Sequence, residues 1–505
     1  MTSRRRFLRT AGYATAATLV ATSALSRLHA QSAAPAFPAS FDPSDDPLFM
    51  STVKLASLIR AKKLSAVEAV DLHFARIDAV NTKINAVVAQ CRERARVEAA
   101  AADASLARGR LLGPLHGVPF TIKDSFDTAG VVTTGGTLGR KDFIPGADAT
   151  VVARLRNAGG ILLGKTNTPE FTLGGGGKGT INLIHGVTRN PYHLDYQSSG
   201  SSGGAGAIVA AGGASFDIGT DYGGSIRGPA FACGIAGLKP TYGTVPRTGH
   251  IVGYGGAFDN FQEAGPMARR VEDVAYLMPI ITGPDDWDAA MCPVPWPDYA
   301  KVDLKKLRVA FYFSNGQMAP TEELQATVKQ TVAYFRDLGV TSLTEDAPPK
   351  MKELAQIRQA FSGANGRDHM RRMLKLHGTT QASPGLNLSG NVLPSADFTR
   401  LCEEMDAIKS EQLAWFESYD LIICPASQQA PVPLDWERPA NWAGASYTSQ
   451  YNTTGWPAGV VRCGTAANGL PLGIQLIAQP WRDDVVLAAM AHVESRTGGW
   501  VKPVL

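Results

Sequence analysis

The sequence predicts an α/β fold. Short apolar runs at residues 118–123, 160–164 and 207–212 alternate with glycine-rich turns, and amphipathic helices precede them. Buried strands that alternate with helices indicate an α/β sheet. Between residues 200 and 237 about a third of the residues are glycine, against roughly 7% in average proteins. Because the intervening runs are apolar, we expect close backbone packing around something small.

Three helices are predicted ahead of these runs. The first two cover about 51–62 and 66–80, and a capping box formed by Ser65 and Glu68 starts the second. A third, alanine-rich helix covers about 93–108 and ends at a glycine-proline cluster. We expect these helices to support the fold.

Composition sets the class of protein. The chain has 505 residues, of which 44% are apolar and 19% charged, with a formal net charge of +4. This length is ample for one large core or two ordinary ones. Outside the extreme N-terminus no run of Lys or Arg forms a stripe that would neutralise a phosphate backbone. We therefore expect no nucleic-acid partner.

Residues 1–30 have the pattern of a twin-arginine export signal. Residues 3–9 read SRRRFLR, a weakly apolar stretch covers 10–25, and Leu28-His29-Ala30 forms a small-residue cleavage site. The alternatives are a basic first helical turn or a membrane anchor, but the apolar stretch is shorter than the roughly 20 residues that span a bilayer. We expect transport by the twin-arginine machinery, a periplasmic location and no stable membrane insertion after cleavage.

Residues 31–45 are predicted to be a flexible mature N-terminus, because this stretch is rich in Ala, Pro and Ser. Ordered structure is expected to begin near Leu48. No internal repeat or long linker divides the remainder, so residues 46–505 are predicted to form one domain.

No metal site is indicated. The six cysteines are scattered without a CxxC pair, and none of the nine histidines has a ligand spacing such as HExxH. Twin-arginine cargo is exported folded, so disulfides are optional.

Two glycine motifs match nucleotide-binding patterns. Residues 159–166 have the letters of a P-loop, but the apolar residues 161–163 are strand-like where a P-loop needs a free turn. Gly174, Gly176 and Gly179 spell GxGxxG, yet no β-branched strand leads into them. We expect neither motif to bind a nucleotide.

Lys123 ends the apolar run VPFTIK, so its ammonium is expected at a sheet edge facing a cleft. A lysine in this position is ordinarily solvated. Its apolar lead-in allows an alternative, a buried lysine whose lowered pKa makes it a neutral base near pH 7. The residue alone does not decide between the two.

Serines lie among glycines in two segments. SSGSSGG (198–204) precedes a helix-like apolar run, an arrangement typical of a flexible loop or a helix N-cap. In GTDYGGSIR, Ser225 directly follows two glycines. On such a turn the N–H of Ser225 and those of Tyr222, Gly223 and Gly224 point at one spot, as an oxyanion hole requires.

Lys123, the GSSGG segment from Gly200 and the run GTDYGGSIRGPAFACGIAGLKPTYG (219–243) together resemble the amidase signature family. The likeness continues in three further segments: GKTNTPEF (164–171), RNPYH (189–193) and GLPLGIQLIAQP (469–480). It therefore covers nearly the whole mature chain. The resemblance implies one large α/β/α domain over 46–505, with a mixed β-sheet core flanked by helices.

Within that architecture we expect the stretch after about 285 to be a peripheral helical part. The chain is expected to return to the core sheet near DLIICPA (420–426).

Carried over residue by residue, the resemblance places the nucleophile at Ser225, a bridging serine at Ser201 after a cis peptide bond from Gly200, and the base at Lys123. The two serines are 24 residues apart, as in the family. It implies hydrolysis of a carboxylic amide through an acyl-enzyme, with a proton relay from Ser225 through Ser201 to neutral Lys123 and no metal or cofactor. The implied partner is a small-molecule amide.

Smaller roles are predicted for neighbouring residues. Asp221 and Arg227 are expected to form an ion pair that sets the turn and is structural, not catalytic. Ser202 either hydrogen-bonds Lys123 or caps the following helix. Thr220 is expected to be structural.

The chain departs from the family at Ser199, where the family commonly has a glycine. This difference puts in question whether the loop before the GSSGG segment has the family's geometry. Residues from about 345 to 400 contain no motif that indicates a chemical role. In the family this region varies and lines the acyl pocket. Four apolar residues there are either pocket wall or core, and core is favoured: Phe361, Met370, Met373 and Leu374.

Rival functions share parts of this pattern. The glutamine-amidase component of a tRNA-dependent amidotransferase has the same fold, but an export signal would separate it from tRNA and its partner proteins. An esterase or an aryl-acylamidase would use the same site. An exported binding protein that had lost the chemistry is a rival from another class, against which intact Lys123, Ser201 and Ser225 argue. Aliphatic, aryl, cyclic and amino-acid amides all stay open as substrates.

Overall fold

A mixed β-sheet forms the centre of the protein. The computed structural model describes residues 44–173, 175, 177–253, 256, 260–437 and 447–505. Within these ranges eleven strands build the main sheet, with the following bounds: β1 Val87–Gln90, β2 Pro119–Lys123, β3 Ile161–Thr166, β6 Phe216–Asp221, β7 Ala236–Lys239, β8 Glu263–Ala268, β9 Arg308–Phe311, β10 Ser342–Glu345, β11 Leu421–Pro425, β12 Ala458–Thr465 and β13 Pro471–Ala478. Ile181–Asn182 (β4) and Gly186–Val187 (β5) pair separately.

Helices flank this sheet. Their bounds are α1 Thr52–Arg60, α2 Ala66–Ile84, α3 Arg92–Ala107, α4 Thr150–Asn157, α5 Gly203–Ala210, α6 Arg227–Ala232, α7 Val271–Ile281, α8 Glu322–Leu338, α9 Met351–Gly363, α10 Asp368–Leu376, α11 Ser395–Phe416, α12 Ser449–Thr453 and α13 Asp483–Thr497. The predicted capping box is present, since Ser65 and Glu68 exchange side-chain and backbone hydrogen bonds at the start of α2. The predicted α/β class, with a mixed sheet between helices, is confirmed.

The strand order is β1-β3-β2-β6-β8-β7-β12-β13-β11-β9-β10. β2 runs parallel to both β3 and β6, whereas the middle of the sheet from β6 to β11 is antiparallel. Because β2 and β6 are parallel neighbours, their carboxyl ends lie at one edge of the sheet. Lys123 ends β2 and Asp221 ends β6, so both residues reach that edge.

Helix α5 explains part of the glycine density. Every residue of α5 is buried. A Cβ on Gly204 would lie 2.4 Å from the backbone nitrogen of Asn167, so only glycine permits this helix to approach the end of β3 so closely. The apolar run at 207–212 therefore belongs to a buried helix, not to a strand.

One expectation about architecture is wrong. Residues after 285 are not only a peripheral helical part, because β9 and β10 join the main sheet there, and β9 pairs in parallel with β11. Helix α8 connects β9 with β10 and packs on β11, which is a parallel crossover. The return of the chain to the sheet at 420–426 is confirmed by β11.

Some predictions lie outside the described residues. These are the export signal at 1–30, the tail at 31–45 up to residue 43, and Gly174 and Gly176 of the GxGxxG motif. The described residues belong to one compact unit. Among them, no helix has both the length and the apolar character needed to cross a bilayer.

Candidate active site

Lys123 is fully buried at the carboxyl end of β2, next to three hydroxyl groups. Its Nζ lies 2.7 Å from Ser201 Oγ, 2.9 Å from Ser202 Oγ and 2.8 Å from Thr220 Oγ1. Burial lowers the pKa of Lys123 to about 7, although the charges of Asp221 and Asp217 act in the opposite direction. A substantial fraction of this lysine is therefore neutral near pH 7.

The partners of Ser202 fix the direction of its own hydrogen bond with Lys123. The Ser202 hydroxyl donates to the Thr220 carbonyl oxygen, and it accepts from the Thr220 N–H. Its one proton is thus committed, so it accepts from Lys123. A neutral amine has two N–H groups and one lone pair. As an ammonium, Lys123 donates to all three hydroxyls, including that of Ser201. As a neutral amine that donates to Ser202 and Thr220, it has its lone pair left for the Ser201 hydroxyl.

Ser201 lies at the start of the segment that leads into α5. The peptide bond between Gly200 and Ser201 is cis, as the family resemblance implies. Ser201 is only 4% exposed, so its hydroxyl is largely shielded from water. Of the two roles open for Ser202, the structure shows contact with Lys123, and no side-chain cap of α5.

Ser225 lies on the turn between β6 and α6 and is partly exposed. The Ser202 N–H donates to the Ser225 carbonyl oxygen at 3.2 Å, so the two serine segments are in direct contact. In the part of the chain that the structure describes, no hydrogen bond joins the hydroxyls of Ser201 and Ser225. The structure therefore brings Lys123 and Ser201 into contact and places Ser225 on the adjoining segment.

The backbone around Ser225 departs in one place from the predicted oxyanion hole. The N–H of Gly224 donates to Asp221 Oδ1 at 2.6 Å, so this amide fixes the turn. Gly224 has φ of +120°, and a Cβ there would lie 2.2 Å from Thr448 Oγ1. Glycine is required at this position for conformation and space. The oxyanion hole stays a prediction for the amides of Tyr222, Gly223 and Ser225.

Asp221 and Arg227 form the ion pair that the sequence predicted. Both side chains are fully buried, and Asp221 Oδ1 lies 3.0 Å from Arg227 Nη2. Burial alone would raise the pKa of Asp221, but the Arg227 charge and the hydrogen bonds donated by Arg227, Asn452 and Ile226 hold it well below its ordinary value. The pair ties the turn that carries Ser225 to α12.

We expect Asp221→Asn to destabilise the protein by about 3–5 kcal/mol, because it leaves the buried Arg227 charge without its carboxylate. Asp368→Asn is the matched control, since Asp368 pairs with Arg372 on the surface and both side chains are more than half exposed. Its expected cost is below about 1 kcal/mol. Chemical denaturation measures both, and equal costs for the two variants would contradict the structural role of Asp221.

A cleft of about 560 Å³ adjoins these segments. Its lining includes Ser199 and Gly200 from the Ser201 segment, and Gly223 and Gly224 from the turn that carries Ser225. The four apolar residues that were either pocket wall or core from the sequence are not among its described lining residues. Phe361 and Met370 lie in hydrophobic cores, and Met373 and Leu374 pack against one, as favoured from the sequence.

Sequence reasoning missed three residues at this site. Thr220 was expected to be structural, but its hydroxyl accepts from Lys123. Its placement depends on β2 and β6 being parallel neighbours, which the sequence alone does not show. Arg358 on α9 and Thr448 beside α12 reach the turn from distant parts of the chain, for which the sequence carries no local signal.

Comparisons with known proteins agree with this fold. A family model described as Amidase matches residues 68–487. A glutamyl-tRNA(Gln) amidotransferase subunit of Moorella thermoacetica is 35% identical over 488 residues, covering 89% of this chain and 97% of its own. An acylamidase of Rhodococcus erythropolis is 34% identical, covering 88% and 95%. The solved peptide amidase of Stenotrophomonas maltophilia has a TM-score of 0.78 and 28% identity, covering 90% and 98%.

The fold and the relatives together define a hydrolase that acts on carbon–nitrogen bonds of amides. The match of one family model over most of the chain, with relatives above 30% identity across nearly their whole length, makes the assignment specific. The chain belongs to the amidase signature family.

Proposed function

We propose that this protein is an exported amidase that hydrolyses a small carboxylic amide to its acid and amine through an acyl-enzyme on Ser225. The observation that supports this best is the buried contact of 2.7 Å between Lys123 Nζ and Ser201 Oγ. A lysine with a pKa near 7 that faces a shielded hydroxyl has the properties of a general base.

In the proposed first half-reaction, neutral Lys123 takes the proton of Ser201 while Ser201 takes that of Ser225. The Ser225 oxygen attacks the amide carbonyl, and the charge develops on the carbonyl oxygen beside the loop of Tyr222, Gly223 and Ser225. Backbone N–H groups in that loop stabilise it. Losing one such donor costs about a hundredfold or more in rate.

Collapse of this intermediate breaks the carbon–nitrogen bond. The proton held by Lys123 returns through Ser201 to the leaving amine, which leaves Ser225 acylated. Water then loses a proton along the same route to Lys123 and attacks the ester carbonyl. When the acid departs, Ser225 recovers its proton from the relay, and the site returns to its starting state.

The named relatives indicate two neighbouring activities. One belongs to a glutamyl-tRNA(Gln) amidotransferase and the other is an acylamidase. The twin-arginine pattern at residues 3–9 favours an amidase that works alone outside the cytoplasm, because tRNA is not available there. Ester hydrolysis in the same site is the nearest alternative, since the relay serves either leaving group.

The test of function is a panel of primary, aryl and cyclic amides assayed beside esters of the same acyl groups. We expect turnover of at least one amide class, and none by the Ser225→Ala variant. Turnover of esters alone would favour the esterase alternative. A folded protein that turns over neither class would favour a binding protein.

Export is tested by replacing Arg4 and Arg5 with lysine, which keeps the charge and removes the twin-arginine pair. We expect the wild-type chain in the periplasmic fraction with its first 30 residues removed, and the variant in the cytoplasm at full length. Arg9→Lys, outside the pair, is the matched control and should be exported. Equal export of all three chains would contradict the twin-arginine assignment.

A further inference from the structure

Arg358 on α9 is a buried arginine at the edge of the cleft, only 8% exposed. Its guanidinium lies 4.9 Å from the centre of the Tyr222 ring and 4.8 Å from that of Phe261. A methyl group placed on Gly223 would be 3.6 Å from Arg358 Nη2. The guanidinium therefore lies directly beside the loop that faces the substrate carbonyl in the proposed mechanism.

No carboxylate among the described residues forms an ion pair with Arg358. Besides the Tyr222 phenol, the acidic groups that act on it electrostatically are the carboxyl groups of Glu263 and Asp221. Asp221 already pairs with Arg227 at 3.0 Å, and Glu263 with Lys239 at 3.3 Å. Because those two pairs are each neutral, Arg358 contributes an uncompensated positive charge to a buried place, which is costly without an anion.

The hydrogen bonds of Arg358 leave donors available. Nη1 donates to Thr453 Oγ1 at 2.8 Å and to the Ser449 carbonyl oxygen at 3.4 Å, and Nη2 donates to the Tyr222 carbonyl oxygen. An arginine has five N–H donors. In the described structure these three bonds leave two donors, among them Nε–H, which is the number that a carboxylate accepts in bidentate fashion.

The described lining of the cleft carries little charge. Of its lining residues that the structure describes, Arg358 is the sole charged one, and the other polar groups include four glutamines: Gln197, Gln359, Gln428 and Gln429. No acidic side chain in this lining repels an anion or satisfies the guanidinium. A ligand with one negative charge near the reacting carbonyl complements this surface.

We propose that the substrate is an amide whose acyl half carries a carboxylate, and that Arg358 binds this carboxylate. The inference rests on the proposed function. In the proposed mechanism the leaving nitrogen receives its proton from Ser201, whereas Arg358 contacts Tyr222 and the residues of α12. The carboxylate that Arg358 binds therefore belongs to the acyl half of the substrate. The substrate class is thus the monoamides of dicarboxylic acids and similarly acidic acyl groups.

The experiment compares three primary amides of equal length that differ in the distal group: succinamate with a carboxylate, 4-oxopentanamide with a ketone and 4-aminobutanamide with an ammonium. Ammonia release gives kcat/KM for each, and homologues longer by one and two methylenes are measured in parallel. We expect the carboxylate to exceed the ketone by about tenfold or more at the best length, the range for hydrogen bonds to a charged group. The ammonium is expected to be the poorest.

Variants test whether Arg358 causes the preference for the carboxylate. Arg358→Met is expected to bring the carboxylate-to-ketone ratio to about one, and Arg358→Glu to favour the ammonium. The ratio cancels any general loss of activity caused by losing the bond to the Tyr222 carbonyl. Gln359→Met, on the same helix and also lining the cleft, is the control and should keep the wild-type ratio.

Three outcomes overturn the inference and leave the proposed function standing, and the first two concern the carboxylate-to-ketone ratio. One is a wild-type enzyme that turns over the ketone as well as the carboxylate, and the other is a ratio unchanged in Arg358→Met. Turnover confined to other amides also overturns it. Absence of turnover of every amide, with no covalent labelling of Ser225, removes the proposed function itself and the inference with it.

Discussion

Replacement of Ser225 with alanine is expected to lower kcat for amide hydrolysis by at least about 10⁴-fold. The variant keeps the cleft and the Lys123–Ser201 contact but has no oxygen to acylate. Ser225 makes no side-chain hydrogen bond within the described residues, so its removal should leave the free energy of unfolding nearly unchanged. Steady-state kinetics and chemical denaturation measure the two quantities.

Ser427→Ala is the matched control for this prediction. Ser427 lines the cleft, but it lies after β11 and not on the turn that carries Ser225. We expect its kcat to stay within about tenfold of wild type, which corresponds to the loss of one neutral hydrogen bond. A Ser225→Ala variant with substantial activity would assign the nucleophile elsewhere.

Replacement of Lys123 with methionine is expected to lower kcat by about 10²–10⁴-fold, the range for loss of a general acid–base. Methionine fills a similar volume, and the variant removes a base that three hydroxyls surround. Lys165→Met is the control, because Lys165 is equally buried on β3 but bonds Phe126 and Thr128 instead of a serine. It is expected to lower stability while kcat stays within about tenfold.

The pH profile gives a second test of Lys123. The neutral amine is the active form and its pKa is lowered by burial to about 7, so kcat/KM should rise with pH through about 7 and level off above it. As pH falls below 7, Lys123 gains a proton and activity is lost. The residual activity of Lys123→Met should lack this acid limb.

Asp217 is the second group that titrates in the same range, since burial raises its pKa to about 7. It accepts hydrogen bonds from Thr121 and Thr166, and its charge raises the pKa of Lys123. In Asp217→Asn the acid limb should therefore persist and move to lower pH. If the limb disappears instead, Asp217 and not Lys123 sets the pH dependence.

The local parts of this structure could be predicted from the sequence because short-range rules determine them. Ser65 and Glu68 mark the start of α2 through a capping box. The strand ending at Lys123 follows from its apolar run, and the cis bond before Ser201 follows from the family resemblance. The spacing of Asp221 and Arg227 around one turn also sufficed to predict their ion pair.

Long-range parts could not be predicted in this way. The addition of β9 and β10 to the sheet depends on pairing with β11, which lies about a hundred residues later. The hydroxyl of Thr220 reaches Lys123 only because β2 and β6 are parallel neighbours. The commitment of the Gly224 amide to Asp221 depends on the detailed turn, which residue types do not specify.

The central claim is that the relay makes Ser225 a nucleophile, and covalent labelling tests it most directly. The full chain is treated with a serine-reactive sulfonyl fluoride and analysed by peptide mass spectrometry, beside the Ser225→Ala and Lys123→Met variants. We predict one adduct, on Ser225, which forms faster as pH rises through about 7 and is absent or strongly slowed in the two variants. A folded wild-type protein that forms no adduct, or forms it on another serine, would contradict the mechanism.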